Sequence, residues 1–178
     1  SVIGENMNIR RFEKLEEPNG LVQDYVHSGG RIGVLLQVKS SVVNDAVKEM
    51  AKNVAMQIAA LNPKYITRAE VDQDYLKSEK EILLAAAKNE KPNAPEKVLL
   101  GIVEGRLNKE LKEVCLVDQK FVKNGDITVA QYVDEESKKL GKSMKVVEMA
   151  RFEVGEGIEK KEEDFAAEVA AQQAAASK

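Results

Sequence analysis

The chain has 178 residues, 43% apolar and 32% charged, enough for one medium core or two small ones and too apolar to be largely disordered. Its 27 basic and 30 acidic side chains leave a net charge of −3, so no general electrostatic pull towards nucleic acid or an anionic membrane is expected, and partners should be selected by shape. A single cysteine, Cys115, excludes an internal disulfide and fits a reducing compartment.

No apolar run approaches the ~20 residues that cross a bilayer, and Ser1 opens no signal peptide. The expected location is the cytosol or an organelle matrix. With serine where an initiator methionine would stand, the chain is expected to be processed or part of something longer.

Residues Asn6 to Arg10 set polar Asn6, Asn8 and Arg10 against Met7 and Ile9, the period of a strand with one face on a core. Glu16-Glu17-Pro18-Asn19-Gly20 ends it as a turn. Leu21 to Val26 and Ile32 to Val38 form two further extended runs, and Ser28-Gly29-Gly30 supplies the permissive backbone for a hairpin between them. His27, the chain's only histidine, stands beside those glycines and is expected to be exposed. From Val43 the period changes: Val43, Val47, Met50, Val54, Ile58 and Leu61 fall on one helical stripe that Asn62-Pro63 stops.

The middle of the sequence predicts a helical hairpin. Glu70 to Asn89 and Ala94 to about Cys115 are each roughly twenty residues, about 30 Å of helix, joined by Glu90-Lys91-Pro92-Asn93. Asn93 is a candidate cap with Pro95 in the first turn. Leu100, Val103, Leu107, Leu111 and Val114 give the second helix its stripe. The first offers Val71, Tyr75, Leu76, Ile82 and Leu83 and is otherwise charged or alanine. Such a pair is a thin, self-packed arm, either one that reaches a partner or a mere insertion in the core.

Thr128 to Leu140 reads as a short helix capped by Thr128 and ended by Gly141. Met144 to Val154 then alternates as a strand, with Met144, Val146, Ala150, Phe152 and Val154 on one face. Gly155-Glu-Gly157 is a turn, and residues 160–175 read as a terminal helix with acidic residues at its front. Four separated strands with helices between them predict an α+β fold: an antiparallel sheet with packed helices, an inserted antiparallel helical hairpin forming a coiled coil, and a C-terminal helix. The expected division is a discontinuous core of residues 1–69 and 116–158, an arm of residues 70–115 and a C-terminal helical module of residues 159–178.

No reactive constellation stands out. One histidine and one cysteine would have to meet to make a Cys/His pair, and Cys115 reads as a small buried residue at a helix end. Gly29-Gly30-Arg-Ile-Gly33 lacks the Gly-Lys-Ser/Thr ending of a phosphate loop and precedes no helix. Carboxylates are scattered along helix faces, without metal-ligand spacing. The expectation is a protein that is not an enzyme and needs no cofactor or metal. The competing hydrolase reading would require titratable groups converging near His27.

Several strings carry a family resemblance. Ile3-Gly-Glu-Asn-Met-Asn-Ile-Arg-Arg-Phe12, His27-Ser-Gly-Gly-Arg-Ile-Gly33, Val54-Ala-Met-Gln-Ile-Ala-Ala60, Val103-Glu-Gly-Arg-Leu-Asn-Lys109 and Phe152-Glu-Val-Gly-Glu-Gly-Ile-Glu-Lys160 resemble, in this order, translation elongation factor Ts. Asp164-Phe-Ala-Ala-Glu-Val169 extends the likeness into that family's C-terminal module. The resemblance implies a guanine-nucleotide exchange factor for the GTPase elongation factor Tu, with this chain similar to the second core half, the coiled-coil arm and the terminal helix. It implies partner contacts at His27, Gly29, Gly30 and Arg31 against the non-GTPase part of elongation factor Tu, and at Asp164, Phe165 and Val169 against its nucleotide domain. The arm would reach towards the same partner or remain free.

The departures bear on activity. The family's N-terminal helical module and first core half, with a Thr-Asp-Phe motif near the nucleotide and magnesium site, have no counterpart in these residues. Glu163-Asp164-Phe165 resembles that motif only superficially, and Ser28 stands where glycine or alanine is usual. The chain is therefore expected to bind elongation factor Tu and to exchange nucleotide poorly. The alternative is a structural or dimerisation module, its sheet pairing with the missing half or a second copy.

Overall fold

The computed structural model describes residue 4 and residues 8–158. Strand β1 (Gly20–His27) turns back into β2 (Ile32–Ser40), helix α1 (Asp45–Leu61) follows, and α2 (Gln73–Glu90) and α3 (Glu96–Val114) form the hairpin. A short pair, β3 (Lys120–Phe121) and β4 (Asn124–Thr128), leads into α4 (Val129–Leu140) and the last strand β5 (Met144–Glu153). The main sheet is antiparallel with β2 between β1 and β5, confirming the α+β class.

One face of this sheet is buried because its residues alternate. Val34, Leu36 and Val38 of β2 point the same way and meet Val47, Met50, Val54 and Ile58 of α1, all of them buried. Val129 at the start of α4 and Leu116 complete the cluster without exposure. Each such aliphatic side chain contributes about 1.5–3 kcal/mol by leaving water. Helix α1 begins two residues later than its stripe suggests, because the Asn44 side chain accepts the Val47 amide at 3.1 Å and caps it there. Val43 and Leu61, the ends of the expected stripe, are half exposed. Asn62 takes a left-handed conformation (φ 46°) ahead of Pro63 and stops the helix.

Several expectations need correction. Residues 8–17 form no strand: they run irregularly beside the outer face of the sheet, where Arg11 lies 4.7 Å over the Phe152 ring and Gln37 donates to Glu17 at 2.8 Å. The hairpin β3–β4 was hidden by the shortness of its strands. The alternation expected along Met144–Val154 breaks at a bulge, since Gln37 faces Glu148 while Val38 faces Val146, leaving Val147 as the extra residue. Met144 and Val146 therefore share the core face with Met149 and Arg151. Ala150 and Phe152 line the opposite side, beside Arg11 and Phe12.

Helices α2 and α3 pack against each other in antiparallel order, Ala87 with Leu99 near the tip, while Val71, just ahead of α2, packs with Leu107 and Leu111 near the base. The buried stripe of α3 is Leu99, Val103, Leu107 and Leu111, so Leu99 replaces Leu100, which is half exposed, as is Ile82 of α2. Pro95 itself occupies the capping position of α3, and Asn93 does not cap it. At the arm's base, Lys64 and Tyr65 amides donate to the Val114 carbonyl, and Leu116 and Val117 amides return to Tyr65 and Ile66. Arg68 clamps this junction, donating to Asp118 at 2.5 Å and Asn108 at 2.8 Å. The C-terminal helix expected over residues 160–175 lies outside the described residues.

Candidate docking surface

The turn between β1 and β2 is exposed throughout, and its shape follows from three residues. Ser28, Gly29 and Gly30 have φ of 51°, 64° and 97°, a run of left-handed backbone that two glycines adopt without strain. Arg31 returns to ordinary helical angles, and its amide meets the Ser28 carbonyl at 3.4 Å. His27, Gly29, Gly30 and Arg31 are all exposed. The structure thus brings these four expected contact residues together at one exposed hairpin end. His27 is the last residue of β1, opposite Ile32, rather than part of the turn itself.

Neighbouring elements add to this end of the molecule. The Arg31 carbonyl accepts the Val154 amide at 2.9 Å, which seats the Gly155-Glu156-Gly157 turn beside the hairpin. Arg10 donates to the Glu156 carbonyl, and Arg11 pairs with the Glu156 carboxylate at 2.8 Å. Here Phe12 is 80% and Val154 69% exposed, and Val26 lines a cleft of about 410 Å³ with Phe12, Leu35 and Phe152. Large apolar side chains with so much surface, set among arginines, are the composition of a protein-contact patch. Sequence reasoning missed Arg10 and Arg11 because their role depends on a turn some 145 residues away.

The His27 imidazole has one hydrogen-bond partner among the described residues, the Tyr25 hydroxyl at 3.0 Å from Nδ1. Cys115 lies in the separate cluster at the arm's base, fully buried, where burial first and then the nearby Asp118 carboxylate push its thiol up. The two residues a thiol mechanism would need are therefore apart. Among the described residues no three His, Cys, Asp or Glu side chains are placed to hold a metal ion. No described helix is long and apolar enough to cross a membrane. Asp164, Phe165 and Val169 lie outside the described residues.

A small antiparallel sheet backed by helices, with an exposed glycine turn between its first two strands and a long helical hairpin between α1 and β3, defines an α+β protein with an inserted arm. Residues 1–156 match the family described as Elongation factor TS, and the chain belongs to that family. It is 51% identical over 170 residues to Elongation factor Ts of Clostridium botulinum (strain Eklund 17B / Type B), and 52% identical over 170 residues to that of Clostridioides difficile (strain 630). The Clostridium perfringens (strain 13 / Type A) protein is 50% identical over 168 residues. These alignments take in 94–96% of this chain and 55% of each relative, so the chain spans about half the length of the curated relatives it matches.

Proposed function

We propose that this chain docks onto the GTPase elongation factor Tu as the binding part of a guanine-nucleotide exchange factor, with little exchange activity of its own and without making or breaking bonds itself. The observation that carries the reading is the exposed hairpin end of His27, Gly29, Gly30 and Arg31, in a chain whose family membership extends over residues 1–156. A rigid turn on a buried sheet presents an imidazole and backbone groups at little entropic cost on binding, which is what a docking contact requires. The exposed apolar residues beside it, Phe12 and Val154, offer further area to a partner. The arm, tied to the core by Arg68 and the strand-like pairing at residues 64–66 and 114–117, would reach towards the same GTPase. Asp164, Phe165 and Val169 are proposed as a second contact.

The test is binding of the purified chain to nucleotide-free elongation factor Tu by calorimetry or surface capture. Micromolar or tighter binding is expected, with His27→Ala weakening it about tenfold at unchanged circular dichroism. Absence of binding at tens of micromolar, or turnover of a metabolite by the chain alone, would overturn the reading.

A further inference from the structure

Tyr25 and His27 are two residues apart on β1, so both project from the same sheet face. The Tyr25 ring is partly buried against the main apolar cluster, whereas His27 is exposed. Their rings stack at 5.9 Å with an interplanar angle of 29°, and the Tyr25 hydroxyl reaches His27 Nδ1 at 3.0 Å. One partner is thus fixed by the core and the other stands in solvent. An exposed imidazole left alone would sample several rotamers and both neutral tautomers.

A phenol is a better donor than acceptor, because its oxygen lone pair is delocalised into the ring. With its O–H directed at Nδ1, the imidazole proton is left on Nε2, the nitrogen on the far side of the ring. The competing group across the sheet is already occupied. His27 faces Ile32, and Ile32 faces Glu153, whose carboxylate accepts from Arg151 at 2.8 Å.

We propose that Tyr25 is a positioning residue: its core-anchored hydroxyl holds His27 in one rotamer as the Nε2–H tautomer, so that the hairpin presents a single aimed N–H donor to an oxygen acceptor on the docked protein. This rests on the docking reading above and adds to it the chemistry of the contact, a carbonyl or carboxylate oxygen facing Nε2. A histidine that kept its proton on Nδ1 would present the opposite polarity and reject the same acceptor.

The first test needs no partner. Long-range proton–nitrogen spectra of the labelled free chain, with the imidazole neutral, should show a protonated Nε2 and a hydrogen-bonded, bare Nδ1. In Tyr25→Phe, which keeps the ring packing, the Nδ1 resonance should move and the His27 χ1 couplings should average. A protonated Nδ1 in the wild-type chain, or an unchanged imidazole spectrum in the variant, overturns the proposal; the wild-type spectrum decides even if the variant folds poorly. The second test is a double-mutant cycle on binding to nucleotide-free elongation factor Tu. Tyr25→Phe should weaken binding about three- to tenfold, the range of one hydrogen bond, and have no further effect in a His27→Ala background. Equal weakening in both backgrounds overturns the positioning role. If His27→Ala alone leaves affinity unchanged, the contact at His27 fails and the positioning role with it, whereas absence of any binding overturns the docking reading itself.

Discussion

Gln57 lies fully buried in the middle of α1 and satisfies its whole amide across the core. Its Nε2 donates to Gln119 Oε1 at 3.1 Å and to the Lys120 carbonyl at 3.0 Å, while its Oε1 accepts the Val122 amide at 2.8 Å. The start of the β3–β4 hairpin is thus hung on one side chain. Replacing it with leucine keeps the volume and strands two backbone groups, so Gln57→Leu is expected to lower stability by about 2–3 kcal/mol in urea unfolding. A loss below about 0.5 kcal/mol would mean that water serves those groups equally well. Gly20 is constrained differently: a Cβ there would stand 1.9 Å from the Val38 carbonyl oxygen, with β1 and β2 in register. Gly20→Ala should cost about 1–3 kcal/mol through the shift it forces, read as a lower unfolding midpoint at an unchanged denaturant slope. Local determinants of this kind divide by legibility. The cap of α4 could be read because Thr128 and Gln131 are three residues apart and bond reciprocally. Gln57 could not, because its partners lie more than sixty residues away and a glutamine on a helix is ordinarily a solvated one.

The helical arm is pinned at both ends by polar contacts laid over a narrow apolar seam. Near the tip, Arg106 makes a two-pronged contact with Glu90, at 3.0 and 2.6 Å, and near the base the Tyr75 hydroxyl donates to Glu110. That hydrogen bond, reinforced by burial, pushes the Tyr75 phenol up to about 12. An unfolded tyrosine ionises near 10, so the folded arm prefers the neutral phenol, and this stabilisation is complete below about pH 10 and lost as pH climbs through about 12. In an ultraviolet titration of the four tyrosines, Tyr75 is expected among the last to ionise, with helicity falling as it does. Tyr75→Phe should remove that late phenolate and flatten the alkaline loss of helicity. An early, complete titration of all four would contradict the pin. The existence of both arm helices was visible in their spacing, but the choice of Leu99 over Leu100 was not, since either continues a stripe through Val103 and only the facing Ala87 decides. The same holds for β5: period two placed Ala150 and Phe152 on the core side, and one extra residue at Val147 turned them over.

At the scale of the whole molecule, two functions that are usually joined become separable. A factor that accelerates GDP release must bind the nucleotide-free GTPase more tightly than the GDP-bound one, and by linkage GDP is weakened in the same ratio. A thousandfold ratio corresponds to about 4 kcal/mol of difference, and contacts made equally in both states supply none of it. The hairpin of His27 to Arg31 is a preformed surface on a rigid sheet, suited to contacts that do not depend on whether a distant nucleotide is bound. The chain spans about half the length of its curated relatives, and the Thr-Asp-Phe motif that the family resemblance ties to the nucleotide site does not occur in its sequence. Docking is therefore expected to be nearly blind to nucleotide: affinities for GDP-bound and nucleotide-free elongation factor Tu within about tenfold, or about 1.4 kcal/mol. Fluorescent GDP should correspondingly leave less than about tenfold faster at saturating chain than without it. Measuring both affinities together with that of GDP for the GTPase, with and without the chain, closes the thermodynamic box, and an affinity ratio near a thousand would place the exchange machinery within these 178 residues after all.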